Sequence, residues 1–287
     1  MISLVKILIL AVIQGATELL PVSSSAHVIV AEKLMGLDPT DPSMTLLLVM
    51  LHTGTMLAVI AFFWNSWKEN FFASSKAIQE TISFVVIATM ATGFVGLLLK
   101  KVIEKIVFKG IAHPEIESLF GDLNLISASL AVVGVLIIWA GFAEYRSKER
   151  TTLNLKSAFL IGIVQGICLP FRGFSRSGST ISTGLILGVE KKGLEDFSFA
   201  LAVILTPPVI LMEGLRFLKA QHASGHPGTS MFGLFLPSLI GMVLSFISGM
   251  LALKWLSSWL EGGRWYYFGI YCLFFSVVIF FLHVQGL

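Results

Sequence analysis

Gln14-Gly15-Ala16-Thr17-Glu18-Leu19-Leu20-Pro21-Val22-Ser23-Ser24-Ser25-Ala26-His27 sets a carboxylate, three consecutive serine hydroxyls and an imidazole in a neighbourhood otherwise made of leucine, isoleucine and valine. An ionisable group in hydrocarbon is costly unless it pairs or faces a wet cavity, so such residues mark a functional site by default. The same stretch decides the chain path. Pro21 stops a helix that runs from Ile2 to Leu20, because its ring blocks the hydrogen-bond ladder and restricts the residue before it. The serines after it are good N-caps for a second short helix reaching about Gly36. Neither piece makes an easy span, so together they read as a re-entrant hairpin that enters the bilayer and returns to the same face.

Outward from this stretch the chain stays apolar. Of 287 residues, 55% are hydrophobic and 13% charged, against about 25% charged in an average soluble domain. This is an integral membrane protein. Its apolar runs are long enough to cross as helices and lack the alternation of barrel strands. Met44 to Trp64, Ile82 to Leu99, Leu123 to Ala143, Phe197 to Leu218, Phe232 to Leu256 and Trp265 to Leu282 read as six spans. A loop holding Lys100, Lys101, Lys105 and Lys109 is partly an amphipathic helix. A net charge of +3, spread over short loops, argues against nucleic acid as a partner. Cys168 and Cys272 lack metal-ligand spacing and read as small buried residues, with no disulfide framework. The first apolar run carries Gln14 and Glu18 and has no small-residue cleavage site, so it is read as part of the mature chain rather than a signal peptide.

A second broken pair, Ala158 to Phe171 and Thr180 to Val189, follows the charged linker Glu144 to Lys156. Leu4 to Gly15 aligns without a gap on Leu155 to Gly166, which pairs Gln14 with Gln165, Pro21 with Arg172 and Ser24 with Ser175. One hairpin and three spans therefore occur twice, in 1–150 and 151–287, within a single membrane domain. Three is odd, so the second copy starts from the opposite face and the halves are inverted repeats, whose broken helices are expected to meet near the midplane. Loops with Lys68, Lys76, Arg146, Lys148, Arg150, Lys156, Lys191, Lys192, Lys254 and Arg264 are slightly richer in cations than those with Lys6, Lys33, Lys100, Lys101, Lys105, Lys109, Arg216 and Lys219. The first set is assigned to the cytoplasm, which puts the mouth of the first hairpin outside. Trp64, Trp67, Trp255, Trp259 and Trp265 fall at span ends and are expected to form an aromatic belt.

Gln14 and Glu18 are four apart and share one helix face. With Ser24 as N-cap, His27 is the third helical residue, at a terminus where backbone N–H groups and the helix dipole favour an anion. The second hairpin supplies positive charge in Arg172-Gly173-Phe174-Ser175-Arg176-Ser177-Gly178-Ser179-Thr180. A guanidinium fork with hydroxyls beside it and glycines permitting close approach suits phosphate. An arginine clamp facing serine, histidine and glutamate points to phosphoryl transfer.

At these residues the chain resembles the bacterial undecaprenyl-diphosphatases, the membrane enzymes also called bacitracin-resistance proteins. Two motifs carry the resemblance, Gln14 and Glu18 followed by Pro21 to His27, and Gly173 to Thr180, and it covers essentially the whole chain. It implies removal of the terminal phosphate from a polyprenyl diphosphate at an outward-facing site in the bacterial inner membrane, recycling a cell-wall lipid carrier, with a divalent cation (Mg or Ca) assisting. It makes Glu18, Ser24, His27 and Arg176 the catalytic set, with Gln14, Ser23, Ser25, Arg172, Gly173, Ser175, Ser177 and Thr180 around the substrate. Ser24 is favoured as nucleophile with His27 as its proton partner, since serine needs an adjacent base; direct attack by His27 or by water stays open. Glu18 holds the metal, with Gln14, or orients His27. Gln14 stands where many members have a second glutamate, and Arg172 where a proline usually precedes the glycine. The partners implied are the lipid substrate and the bilayer; oligomeric state is open, a homodimer among the alternatives.

Blander readings compete at several positions. A Glu18–Arg176 pair without chemistry would merely hold the hairpins together, but leaves the hydroxyl clusters unexplained. His52, Thr53, Gly54 and Thr55 read as interhelical packing. Pro207 and Pro208 read as a kink, and His113, His222 and His226 as solvated loop residues. The rival of another class is a lipid-phosphate transporter or flippase using the same midplane site. It would need Arg176 and the serines, yet has less use for a histidine three residues from a serine.

Overall fold

Ser3 opens the first helix by accepting the Lys6 N–H at 3.4 Å, and the helix α1 (Leu4–Leu19) stops two residues before Pro21. The computed structural model describes residues 3–37, 42–107, 119–146, 150–223 and 231–287, and there the chain forms ten helices and no strand. After α1 come α2 (Ser24–Leu34), α3 (Pro42–Asn70), α4 (Ser75–Val107), α5 (Leu123–Arg146), α6 (Leu155–Cys168), α7 (Arg176–Ile186), α8 (Lys191–Ala223), α9 (Met231–Glu261) and α10 (Tyr266–Val284). α3, α4, α5, α8, α9 and α10 are long and apolar enough to cross a membrane, which makes this a multi-pass membrane protein with six candidate spans. α1, α2, α6 and α7 have 16, 11, 14 and 11 residues, short of the roughly 20 a span needs. Their lengths are compatible with re-entrant hairpins.

Several boundaries differ from the sequence expectation. α3 and α4 run well past Trp64 and Leu99, because the charged loop residues there still favour helix and extend the spans as amphipathic turns; the Lys100 loop is helical to Val107. Lys109, His113, Lys148 and His226 lie outside the described residues. Pro207 and Pro208 sit inside a continuous α8. α7 begins four residues earlier than expected, at Arg176, since Ser175 accepts the Gly178 N–H at 3.2 Å and caps it. An isolated bridge between Thr151 and Val189 ties the start of the second pair to its end.

Between helices in lipid there is little hydrophobic gain, so association depends on close packing of small residues. A Cβ on Gly15 would lie 2.5 Å from the Ser245 carbonyl, and one on Gly162 only 2.4 Å from that of Ala88. These contacts press α1 onto α9 and α6 onto α4. α3 crosses α8 and α9, α5 packs along α10, and α5 also meets α7. One helix of each short pair therefore leans on a span from the other end of the sequence, which is compatible with an inverted repeat. The core runs through Leu130, Ile137, Ile181, Phe197, Leu201 and Trp265. Trp67 and Trp265 are buried there, donating to the Asp196 carbonyl at 3.2 Å and to Ser182 Oγ at 3.0 Å, so only Trp64 and Trp255 of the five show the exposure a belt requires. The expected packing patch is one: His52, Thr53 and Thr55 bond to carbonyls of α3 itself, and Gly54 admits the Met242 carbonyl. Both cysteines are free and buried.

Candidate active site

The first site turn is organised by Ser23, which adopts φ +69° and caps α2 through its hydroxyl, accepting the Ala26 N–H at 3.4 Å. The N-cap is thus Ser23 and not Ser24. An N-cap hydroxyl is committed to the helix end, so this one-residue shift spares Ser24, whose hydroxyl donates instead to Glu18 Oε2 on α1. Gln14 Nε2, one turn earlier, donates to the same oxygen at 3.2 Å. Glu18 Oε1 faces Arg176 at 3.8 Å, with both side chains about a fifth exposed. A helical spacing of four on α1 and a proline-forced reversal are what deliver acid and serine to one point.

Arg176 comes from the opposite turn. Its guanidinium donates to the Ser198 carbonyl at 3.3 Å and lies 5.9 Å from the Phe199 ring centre, which leaves donors unspent beside Glu18. The two turns touch through backbone: Gly173 N–H donates to Ser25 Oγ at 3.2 Å, and the Ser177 hydroxyl to the Leu20 carbonyl at 3.3 Å. Ser25 in turn shares a hydrogen bond with Ser23 at 3.2 Å. Gly173 has φ +93°, and a Cβ there would meet the Ile126 carbonyl at 2.5 Å, so no other residue fits. Ser175 is spent as a cap, and Thr180 on the Arg176 carbonyl and Ser198, at 2.9 and 2.7 Å.

Of the residues expected at a site, Gln14, Glu18, Ser24 and Arg176 form one connected chain. Ser23, Ser25, Gly173 and Ser177 knit the two turns together, whereas Ser175 and Thr180 are buried in support of α7. Arg172 is exposed, its guanidinium 4.6 Å above the Phe120 ring, and the carboxylates whose fields reach it are Glu32, Glu213 and Glu18.

His27 departs from expectation. It makes no hydrogen bond to Ser24; Nδ1 bonds the Ser23 carbonyl at 2.8 Å and Nε2 bonds the Tyr271 hydroxyl of α10 at 2.7 Å. Its ring stacks on Phe275, centroids 4.1 Å apart and planes within 12°. The partner in contact with Ser24 is Glu18, because capping by Ser23 turns Ser24 towards α1 while His27, three residues on, faces α10. Tyr271 and Phe275 were not found from the sequence. Their spacing of four marks one face of α10, but nothing local links that face to α2.

Chemically, the arrangement offers a hydroxyl nucleophile on a carboxylate base, opposite a cationic fork. Among the described residues no three His, Cys, Asp or Glu side chains converge on a ready-made metal site. One carboxylate beside a glutamine is a donor set that fits a hard cation whose remaining ligands are phosphate oxygens, the usual manner of magnesium.

The family model of bacitracin resistance protein BacA matches residues 7–278. The chain is 56% identical over 277 residues to undecaprenyl-diphosphatase 2 of Acinetobacter baylyi, covering 96% of each. It is 32% identical to undecaprenyl-diphosphatase of Bacteroides fragilis, over 94% of this chain and 95% of the relative. Undecaprenyl-diphosphatase 2 of Burkholderia ambifaria is 33% identical over 99% of both.

Proposed function

The chain belongs to the bacitracin resistance protein BacA family, and from that membership we propose its activity: it is an undecaprenyl-diphosphatase, a membrane hydrolase that converts the lipid diphosphate to its monophosphate and inorganic phosphate. This recycles the lipid carrier for cell-wall polymers and accounts for bacitracin resistance. The observation that carries the reading is the Ser24–Glu18–Arg176 chain.

In the first step Ser24 Oγ attacks the terminal phosphorus, its proton passes to Glu18, and the bond from that phosphorus to the bridging oxygen breaks to release the lipid monophosphate. In the second, water attacks the phosphoserine and loses a proton to His27, the imidazole of α2, while Glu18 returns its own to the departing Ser24 oxygen. Arg176 binds the equatorial oxygens, where most of the barrier lowering in phosphoryl transfer arises. Arg172, with no hydrogen bond spent on the described residues, meets the phosphate next to the lipid. Glu18 with Gln14 would hold a magnesium or calcium ion, which would supply positive charge to the diphosphate. The site faces outward across the bacterial inner membrane, and the reciprocal packing of α1 on α9 and α6 on α4 supports two repeats in inverted order.

The test is phosphate release from undecaprenyl diphosphate by the purified protein in detergent, with and without chelator. Ser24→Ala should abolish it and Glu18→Gln should lower it by about 100-fold or more. Folded wild type that releases none in any metal would instead favour a lipid-phosphate carrier.

A further inference from the structure

His27 is held on three sides, and each contact constrains a different property of the ring. A backbone carbonyl only accepts hydrogen bonds, so the 2.8 Å contact with the Ser23 oxygen places the proton on Nδ1. In the neutral ring Nε2 is then an acceptor, and the Tyr271 hydroxyl at 2.7 Å must donate to it. The plane is fixed by Phe275, stacked at 4.1 Å, and the Tyr271 ring is nearly parallel to the imidazole, their planes within 8° and centroids 5.7 Å apart. The Ser23 carbonyl that receives Nδ1–H belongs to the residue at φ +69°, so the turn that spares Ser24 also aims the acceptor for His27.

Tyr271 is otherwise an odd residue for its place. It sits on a span as a residue 41% exposed, and the only side-chain partner of its hydroxyl among the described residues is His27, 244 residues away. A hydroxyl on an exposed helix face in lipid is a cost that phenylalanine would avoid. We propose that Tyr271 acts in the phosphatase reaction through His27: with the Nδ1–H tautomer set by the Ser23 carbonyl, the Tyr271 hydroxyl passes its proton to the Nε2 lone pair it already occupies as it takes one from the attacking water. The inference rests on the proposed activity, with His27 as the base of the second step. α10, the last helix of the chain, thereby belongs to the site although it carries no residue of either motif.

Tyr271→Phe keeps the ring and its stacking and removes only the hydroxyl. Phosphate release should fall on the order of 10-fold in kcat with KM within about two-fold, as for loss of a group that hydrogen-bonds a working histidine. In a His27→Ala background the same change should cost nothing further, since the hydroxyl has no ring to act on. Nitrogen-15 spectra of histidine-labelled protein, with His27 assigned by its absence in His27→Ala, should show one protonated Nδ1 in the wild type and a shifted Nε2 in Tyr271→Phe. Wild-type kcat in Tyr271→Phe, or a loss that adds in full to that of His27→Ala, overturns the proposal. If wild type releases no phosphate, the activity reading fails by itself, and an Nε2 signal unmoved by Tyr271→Phe would separately remove the Tyr271 contact.

Discussion

Ser23 and Ser24 carry the same side chain on adjacent positions, and the backbone gives them opposite tasks. Ser23 satisfies an orphan N–H at the start of α2, while Ser24 is released to Glu18. The serine run made both available, and only the dihedral at Ser23 chose between them. Arg176 is similarly specified by geometry: one nitrogen is tied to the Ser198 carbonyl while another faces Glu18 at 3.8 Å, so the planar fork reaches α8 and α1 at once. An ammonium is a point charge and cannot do both. Arg176→Lys should therefore lower kcat/KM for phosphate release by at least about 100-fold, in the range for losing a preorganised charge-stabilising donor. Near-normal turnover in that variant would remove Arg176 from the site.

At the scale of the element, α2 is a short helix started by a strained residue. A non-glycine held in a sparsely populated region costs about 1–3 kcal/mol, whereas exchanging a serine N-cap for glycine loses only a few tenths and for alanine about 1 kcal/mol. Ser23→Gly should consequently melt at or above the wild-type temperature in detergent. Ser23→Ala, which keeps the strain and loses the cap, should melt below it. The reverse order would mean that the turn is not strained. The two turns are not replicas: Ser23 caps α2 and Ser175 caps α7, one position out of the gapless alignment that pairs Ser24 with Ser175. That offset leaves a free hydroxyl on the first turn and places a guanidinium at the first helical position of the second.

In the whole molecule, the short helices α1 and α6 are seated on α9 and α4 through glycine contacts that admit no side chain. A Cβ at Gly162 would sit 2.4 Å from the Ala88 carbonyl, while one at Gly93, on the same α4 that receives α6, meets nothing within 4 Å. Overpacking costs about 1–3 kcal/mol, and an unhindered helical glycine gains about 0.5–1 kcal/mol on becoming alanine. Gly162→Ala should lower the melting temperature and displace α6 with its arginine turn, so that phosphate release falls as well. Gly93→Ala should be neutral or stabilising. Equal effects of the two would show that α6 is not seated on α4 as described.

Hydrophobic content, the length of the apolar runs and the proline and glycine breaks determined by themselves a helical membrane protein with six spans and two short helical pairs, because burial of backbone in lipid leaves no other option. The same residues gave the two motifs, and with them Gln14, Glu18, Ser24 and Arg176, since polar groups in an apolar run stand out without any knowledge of their neighbours. Tertiary structure alone decided which hydroxyl is free, that Glu18 and not His27 touches Ser24, and that Tyr271 and Phe275 hold the imidazole. A cap depends on one dihedral, and a contact between residues 244 positions apart depends on how α10 lies against α2. Neither leaves a local pattern, because an aromatic residue on a membrane helix reads the same whether it faces lipid or a histidine.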